Sequence, residues 1–420
     1  MNLLDDTSSD MKRVDFFRVR SCPVCGVDAR RELLRQEWCL FEDHPLAVPI
    51  YPDIKDSLSV YGIDCCEECG AVYNSPICDA EAYNCYYAEW SRYANGTDPL
   101  GGLPDPITLG RFQETVKLVA PYLSSSEARI LDVGSLDGGL LKEFRSHGYS
   151  ELTGVDPSLE NCRRAALDGI DVYQGTVSAI PSPDSSFDMV LCVHILEHVA
   201  ELKKLDVFRV LAPGGYLYIE VPDATAYKPG SRDLFSDLSL EHINHFGLKT
   251  LSNLLISYGF REVVSGYRIY PCSEYSSGIQ ASIYGIFEKN LLPKLTLPEM
   301  DFETSTAITN YIAESMRLSA ALEHRLEEFV LRSGKIRLWG TGQVAFRLLG
   351  LSSLRKASIT SITDSNPLYW GKCLHGIEVV PPDLFMTTDE PILIASGLHG
   401  KAISSTLFNF FQWDGEIFIP

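Results

Sequence analysis

The chain has 420 residues, enough for two or three domains at roughly 150 residues each. Apolar residues make up 45% and charged residues 22%, which excludes extended disorder and leaves material for a buried core. Lys and Arg number 36 against 56 Asp and Glu, a net charge of −20, so neither nucleic acid nor an anionic membrane is an expected partner.

The opening segment MNLLDDTSSDMKR has no basic stretch followed by an apolar one, and no run of 18 apolar residues occurs in the sequence. A cytoplasmic protein is expected. Of 12 cysteines, eight fall before residue 90, and in a reducing compartment such crowding favours metal binding over disulfides. CPVCG at 22–26 and CEECG at 66–70 each place two thiols on a tight turn, with a glycine relaxing the backbone behind them. Cys22, Cys25, Cys66 and Cys69 together offer Zn²⁺ four soft ligands in a closed tetrahedron, a structural site. Cys65 is an alternative to Cys66, at a three-residue spacing from Cys69. Cys39, His44, Cys78 and Cys85 have no paired spacing and read as packing residues. The aromatic run AYNCYYAEWSRY closes a module over 1–95, and the linker NGTDPLGGLPDP follows at 95–106.

From 108 to 285 short apolar strands alternate with amphipathic helices, the pattern of an α/β fold with a parallel sheet. The expected strands are ARILDVG, ELTGVD, DVYQG, FDMVLCV and GYLYIEVP. In ARILDVGSLDGGLLKEF at 128–144, Gly134 allows a tight turn and Gly138 lets a helix N-terminus approach a ligand. Asp132 ends the strand and can accept a hydrogen bond from a cationic ligand. Asp156 ends the next strand, 22 residues after Gly134, suitably placed to hold a ribose diol. Alone, such a turn also fits a dinucleotide enzyme.

The loop RDLFSDLSLEHINHFGLKTL at 232–251 leaves the carboxyl end of the fifth strand, where doubly wound sheets place their ligands. Glu241 and His242 bring a carboxylate and an imidazole together, a pairing that suits a general base, the alternative being that EHINHF caps the helix starting near Leu248 and packs the loop. His198, beside Glu197 and near His194, faces either substrate or a helix neighbour. A single helix is expected over 302–333, without internal Pro or Gly. KIRLWGTGQVAFRLL at 335–349 then opens a second strand–glycine–helix unit, a C-terminal Rossmann-like domain over 335–420 with or without a ligand of its own.

Taken in order, the segments at 108–285 resemble a class I S-adenosylmethionine-dependent methyltransferase. By that resemblance Gly134 and Gly138 flank the methionine moiety, Asp156 binds the ribose, and Val193 and His194 line the methyl side. Two positions depart from the pattern: Leu136 replaces the third glycine, and Gly175-Thr176-Val177 stand where an acid is usual. Adenine recognition then falls to backbone groups.

With the zinc module, the connecting helix and the D-x-N-P-x-x-x-G stretch from Asp364 to Gly371, the whole resembles the three-domain sugar C-methyltransferases of deoxysugar biosynthesis. The resemblance implies S-adenosylmethionine and structural Zn²⁺ as cofactors, and a nucleotide-linked keto sugar as acceptor. It also implies that Glu241 and His242 form the active-site pair, that His198 is a further active-site histidine, and that Tyr86 or Tyr87, with Tyr87 preferred, faces the substrate. Ser239 stands where that family has a tyrosine. The rival readings are an O- or N-methyltransferase of the same fold and a non-enzymatic cofactor-binding scaffold. Oligomeric state is left open.

Overall fold

A computed structural model describes residues 19–48, 58–91, 106–230, 233–272, 279–290, 298–351 and 353–420. The opening segment 1–13 and all but the last residue of the expected linker lie outside them. Among the described residues, three sheets organise the fold.

The first sheet is antiparallel and has the order β1-β2-β3-β9. Its strands are β1 (Arg30–Cys39), β2 (Leu58–Cys66) and β3 (Val72–Asn74), and it is completed by β9 (Asn244–His245) from the loop after the fifth core strand. Along β1 the side chains alternate, Leu34, Gln36 and Trp38 inward and Arg35 and Glu37 outward, as one covered face requires. Helix α1 (Ala80–Cys85), capped by Asp79 accepting from the Ala82 N–H, runs into a wide π-turn at Tyr86–Trp90.

The second sheet has seven strands in the order β10-β11-β8-β7-β4-β5-β6. Helix α2 (Pro106–Val119) leads into β4 (Ile130–Val133), α3 (Gly139–Ser146), β5 (Leu152–Asp156), α4 (Leu159–Leu167), β6 (Asp171–Gln174) and β7 (Phe187–Val193). The short helix α5 (Val207–Val210) precedes β8 (Leu211–Pro222), and α6 (Leu248–Ser257) precedes β10 (Phe260–Pro271) and β11 (Ile279–Lys289). Strands β4 to β8 pair in parallel and β11 runs antiparallel to both its neighbours. Helices cover both faces, so β4 and β7 are almost wholly apolar and buried.

Helix α7 (Phe302–Ser333) starts at Asp301, whose carboxylate accepts from Thr304 N at 2.9 Å, and stops at Gly334. Beyond it lie β12 (Lys335–Trp339), α8 (Gln343–Leu351), β13 (Ser358–Thr363), β14 (Cys373–Leu374), β15 (Ile377–Val380), α9 (Pro382–Phe385), β16 (Ile392–Ile394), α10 (Gly400–Asn409) and β17 (Ile417–Phe418). They form a third, mostly parallel sheet of order β14-β15-β13-β12-β16-β17.

The three parts share their cores. Val24, Ala71 and Tyr73 of the cysteine module pack in one cluster with Leu131, Val190, Phe246 and Leu255 of the central sheet. Leu34, Trp38 and Ile63 pack with Tyr311 of α7 and with Ile336, Leu338 and Leu349 of the C-terminal sheet. Neither end is an appendage. Among the described residues, no helix is long and apolar enough to cross a membrane.

Candidate active site

Four cysteines converge first. Sγ of Cys22 lies 3.6 Å from that of Cys69, and Sγ of Cys25 lies 3.5 Å from that of Cys66. A tetrahedral ion with Zn–S bonds of about 2.3 Å would set these edges near 3.8 Å, so the set fits Zn²⁺. Four thiolates this close repel one another unless a cation sits between them. Each turn closes by a backbone bond, Gly26 N to Cys22 O at 2.9 Å and Gly70 N to Cys66 O at 3.0 Å. Gly70 has φ +76°, and a Cβ there would strike the Asp301 backbone, so the turn is pressed against the start of α7. Cys65 points away, its thiol directed to the carbonyls of Cys66 and Gly70.

At the carboxyl ends of the central strands lies a cavity of about 710 Å³. Gly134, Leu136, Asp156, Val193 and His194 line it together with Tyr87, His198 and His242. Gly134 has φ +74°, and a Cβ there would meet Ile195, itself on the cavity wall. Asp156 secures the turn: its carboxylate accepts from the N–H groups of Leu136 (3.0 Å) and Ser158 (2.9 Å) and from Asn161 Nδ2 (3.0 Å). Leu136 adopts a left-handed conformation, φ +51°, where a third glycine would cost nothing. Burial still raises the Asp156 carboxyl above the ordinary range, although those three donors oppose it. The segment from Gly175 to Ser178 also lines the cavity.

Asp132 and Gly138 are absent from the wall. Asp132 is buried beneath the turn, and burial, followed by the charge of Asp156, pushes its carboxyl up to about 8. Gly138 caps α3 with φ +78° and presses on Ile170.

His194 directly follows β7 with φ +55°, strained for a non-glycine residue. Its Nδ1 lies 3.2 Å from Glu197 Oε1, and its Nε2 lies 2.7 Å from the Arg111 guanidinium and 3.5 Å from Glu220 Oε1. Behind it, Glu220 accepts from Tyr218 Oη (2.6 Å), Tyr270 Oη (3.0 Å) and Arg268 (2.8 Å). Burial alone would raise the Glu220 carboxyl, but His194 and Arg268 outweigh it and bring it to about 2. Arg111, Glu220 and Tyr270 are cavity residues that the sequence reading did not single out. Glu220 left a signal, as the one acid in the apolar strand GYLYIEVP.

Tyr87, His198 and the Glu241–His242 pair come together from three distant segments. Tyr87 Oη lies 2.7 Å from His198 Nδ1, and the Glu241 carbonyl lies 3.1 Å from the same nitrogen. The rings of His198 and His242 meet edge to face, 4.8 Å apart. Ile243 N donates to the Glu197 carbonyl at 2.8 Å, clamping the two segments together. Ser239 Oγ accepts from the N–H groups of Glu241 (3.2 Å) and His242 (2.8 Å) and so shapes the loop. The Glu241 carboxylate accepts from Tyr86 Oη at 2.9 Å and borders a second cavity of about 100 Å³. Phe41, Trp90, Tyr369 and the Thr341-Gly342 turn of the C-terminal sheet line that cavity too. His245 and His44 are packing residues: burial holds them at about 3 and about 4, both neutral.

Residues 109–265, which contain β4 to β9, match the family described as methyltransferase domain. The core is a class I S-adenosylmethionine-dependent methyltransferase domain. A Mycolicibacterium smegmatis protein named a probable S-adenosylmethionine-dependent methyltransferase is 31% identical over 99 residues, 23% of this chain and 37% of that protein. The ubiquinone biosynthesis O-methyltransferase of Psychrobacter arcticus is 28% identical over 156 residues, 33% of this chain and 60% of that methyltransferase. Thus the chain spans less than two thirds of these relatives' own lengths. A solved 1,6-didemethyltoxoflavin-N1-methyltransferase of Burkholderia thailandensis aligns at 19% identity and a TM-score of 0.38, over 57% of this chain and 98% of its own. Each of these matches spans far less than the whole chain.

Proposed function

We propose that the chain is an S-adenosylmethionine-dependent C-methyltransferase acting beside the ketone of a nucleotide-linked keto sugar. The observation that carries this reading is the single cavity in which the Gly134–Asp156 turn and the Tyr87–His198–His242 cluster face one space. S-adenosylmethionine would supply an electrophilic methyl group. Asp156 would hold the ribose, the Gly134 turn and Val193–His194 would flank the methionine moiety, and the 175–178 backbone would face the adenine. Asp132, buried and uncharged near neutral pH, would support the turn from below.

In the acceptor half, His242 takes the proton from the carbon next to the carbonyl. That proton is acidic enough only if the developing enolate oxygen meets a donor, and the Tyr87 hydroxyl and Arg111 guanidinium stand on the cavity wall. The cavity walls would position that carbon to receive the methyl group, and such positioning would supply much of the rate. Glu241 braces Tyr86 by its side chain and His198 by its carbonyl. The four cysteines would hold Zn²⁺ as a structural tie, remote from these steps.

The curated relatives named as O-methyltransferases favour a second reading, in which the same base takes a hydroxyl proton. Mass spectrometry with keto sugar nucleotides and hydroxyl acceptors, each with S-adenosylmethionine, separates the two. A gain of one methyl confined to the keto sugars supports the first reading, and methylation of hydroxyl acceptors alone supports the second.

A further inference from the structure

Glu197 is buried in the wall of the large cavity, with 2% of its surface exposed. One of its oxygens, Oε1, meets His194 Nδ1 at 3.2 Å. The other, Oε2, is fully enclosed and has no hydrogen-bond partner. An orphaned carboxylate oxygen in such a place costs stability unless a donor or a cation reaches it.

His198 supplies the second half of the argument. Its Nδ1 lies 3.1 Å from the Glu241 carbonyl and 2.7 Å from the Tyr87 hydroxyl, and a ring proton on Nδ1 satisfies both as acceptors. In that tautomer Nε2 carries the lone pair, 3.8 Å from Glu197 Oε1. An imidazole that gives its far N–H to a carbonyl is the usual partner arrangement behind a metal-bound histidine. His242 closes the group: one ligand atom from each of Glu197, His198 and His242 lies within 4.8 Å of the others. Tetrahedral bonds of about 2.1 Å would need edges of about 3.4 Å, a closure that small side-chain rotations supply.

We infer that Glu197, His198 and His242 form a second metal site, separate from the four cysteines, for a borderline divalent transition-metal ion on two imidazoles and a carboxylate. Zn²⁺, Co²⁺ and Ni²⁺ suit this donor set, whereas Mg²⁺ and Ca²⁺, which prefer oxygen, do not. An ion here takes the lone pair that His242 offers as a base, a consequence that rests on the proposed function. The site itself can be read without any turnover.

Purified full-length protein, with its cysteine-bound metal quantified, is titrated with Co²⁺. Weak visible bands of nitrogen- and oxygen-bound Co²⁺ should grow to one equivalent, without the intense near-ultraviolet bands of cobalt–thiolate bonding. Mg²⁺ should not compete. Glu197→Gln and, separately, His198→Ala should weaken this binding about 10-fold or more while leaving the cysteine-bound metal in place. The inference is overturned if wild type gains no such bands, or if both variants bind Co²⁺ as wild type does.

Discussion

The Tyr87 hydroxyl lies 2.7 Å from His198 Nδ1, joining the π-turn of the N-terminal module to the segment after β7 across 111 residues. The Glu241 carbonyl, from a third segment, reaches the same nitrogen. The proposed acceptor end of the cavity therefore depends on the module that carries the cysteines. Burial pushes the Tyr87 phenol well above its ordinary range, so it remains a neutral hydroxyl at physiological pH.

His242→Ala should lower kcat by about 10²–10⁴, the usual worth of a positioned general base. Glu241→Gln should cost less, because the amide can still accept from Tyr86 and the backbone carbonyl that holds His198 is unchanged. Steady-state kinetics on an accepted substrate checks both. Near-normal turnover of His242→Ala would move the base to His198 or Tyr87.

Asp156→Ala should weaken S-adenosylmethionine binding by about 1–3 kcal/mol, the range for hydrogen bonds to a charged group. Part of that loss comes from the turn, since the Leu136 and Ser158 N–H groups lose their acceptor too. Calorimetry on the folded variant reads it. An unchanged dissociation constant would remove Asp156 from the cofactor site.

Asp132 gives a pH signature. Its folded value is raised to about 8 against an ordinary 3.8, burial being the main cause. Between these values the unfolded chain has released the proton and the native state keeps it, so stability from this group falls as pH rises from about 4 to about 8. Asp132→Asn removes the ionisation. Its Tm advantage over wild type should be smallest near pH 4 and largest at and above pH 8, as read by thermal melts across that range.

One tightly held Zn²⁺ per chain is expected on Cys22, Cys25, Cys66 and Cys69, in addition to any ion at Glu197. Cys66→Ser should abolish it and lower the Tm, whereas Cys65→Ser should leave both the metal content and the cysteine turn intact. Elemental analysis after mild chelation checks the pair. Retention of zinc by Cys66→Ser and loss by Cys65→Ser would exchange their roles.

Much of the central sheet was readable in the sequence, for a physical reason. Strands buried on both faces must be apolar throughout, and FDMVLCV and ILDV say so directly. Strands β10 and β11 are less plain, because β10 lies at the sheet edge and alternates exposed and half-buried positions. Nothing local announces β9, whose two residues Asn244 and His245 are strand only because β3 pairs with them. The glycines of the turn were readable, but Leu136 in a left-handed conformation was not, since the Asp156 carboxylate that accepts from its N–H lies 20 residues away. Likewise the motif EH at 241–242 suggested a carboxylate working on its neighbour. Tyr86, 155 residues back in the chain, is the partner that receives the Glu241 side chain in the folded protein.

The most direct test of the proposed chemistry is nuclear magnetic resonance of the product formed from a keto sugar nucleotide and S-adenosylmethionine carrying a ¹³C-labelled methyl group. A labelled methyl showing a one-bond ¹³C–¹³C coupling to a ring carbon of a ¹³C-enriched sugar, at the position next to the ketone, is the expected result. A label attached to oxygen or nitrogen would contradict carbon methylation and leave His242 without an enolate to form.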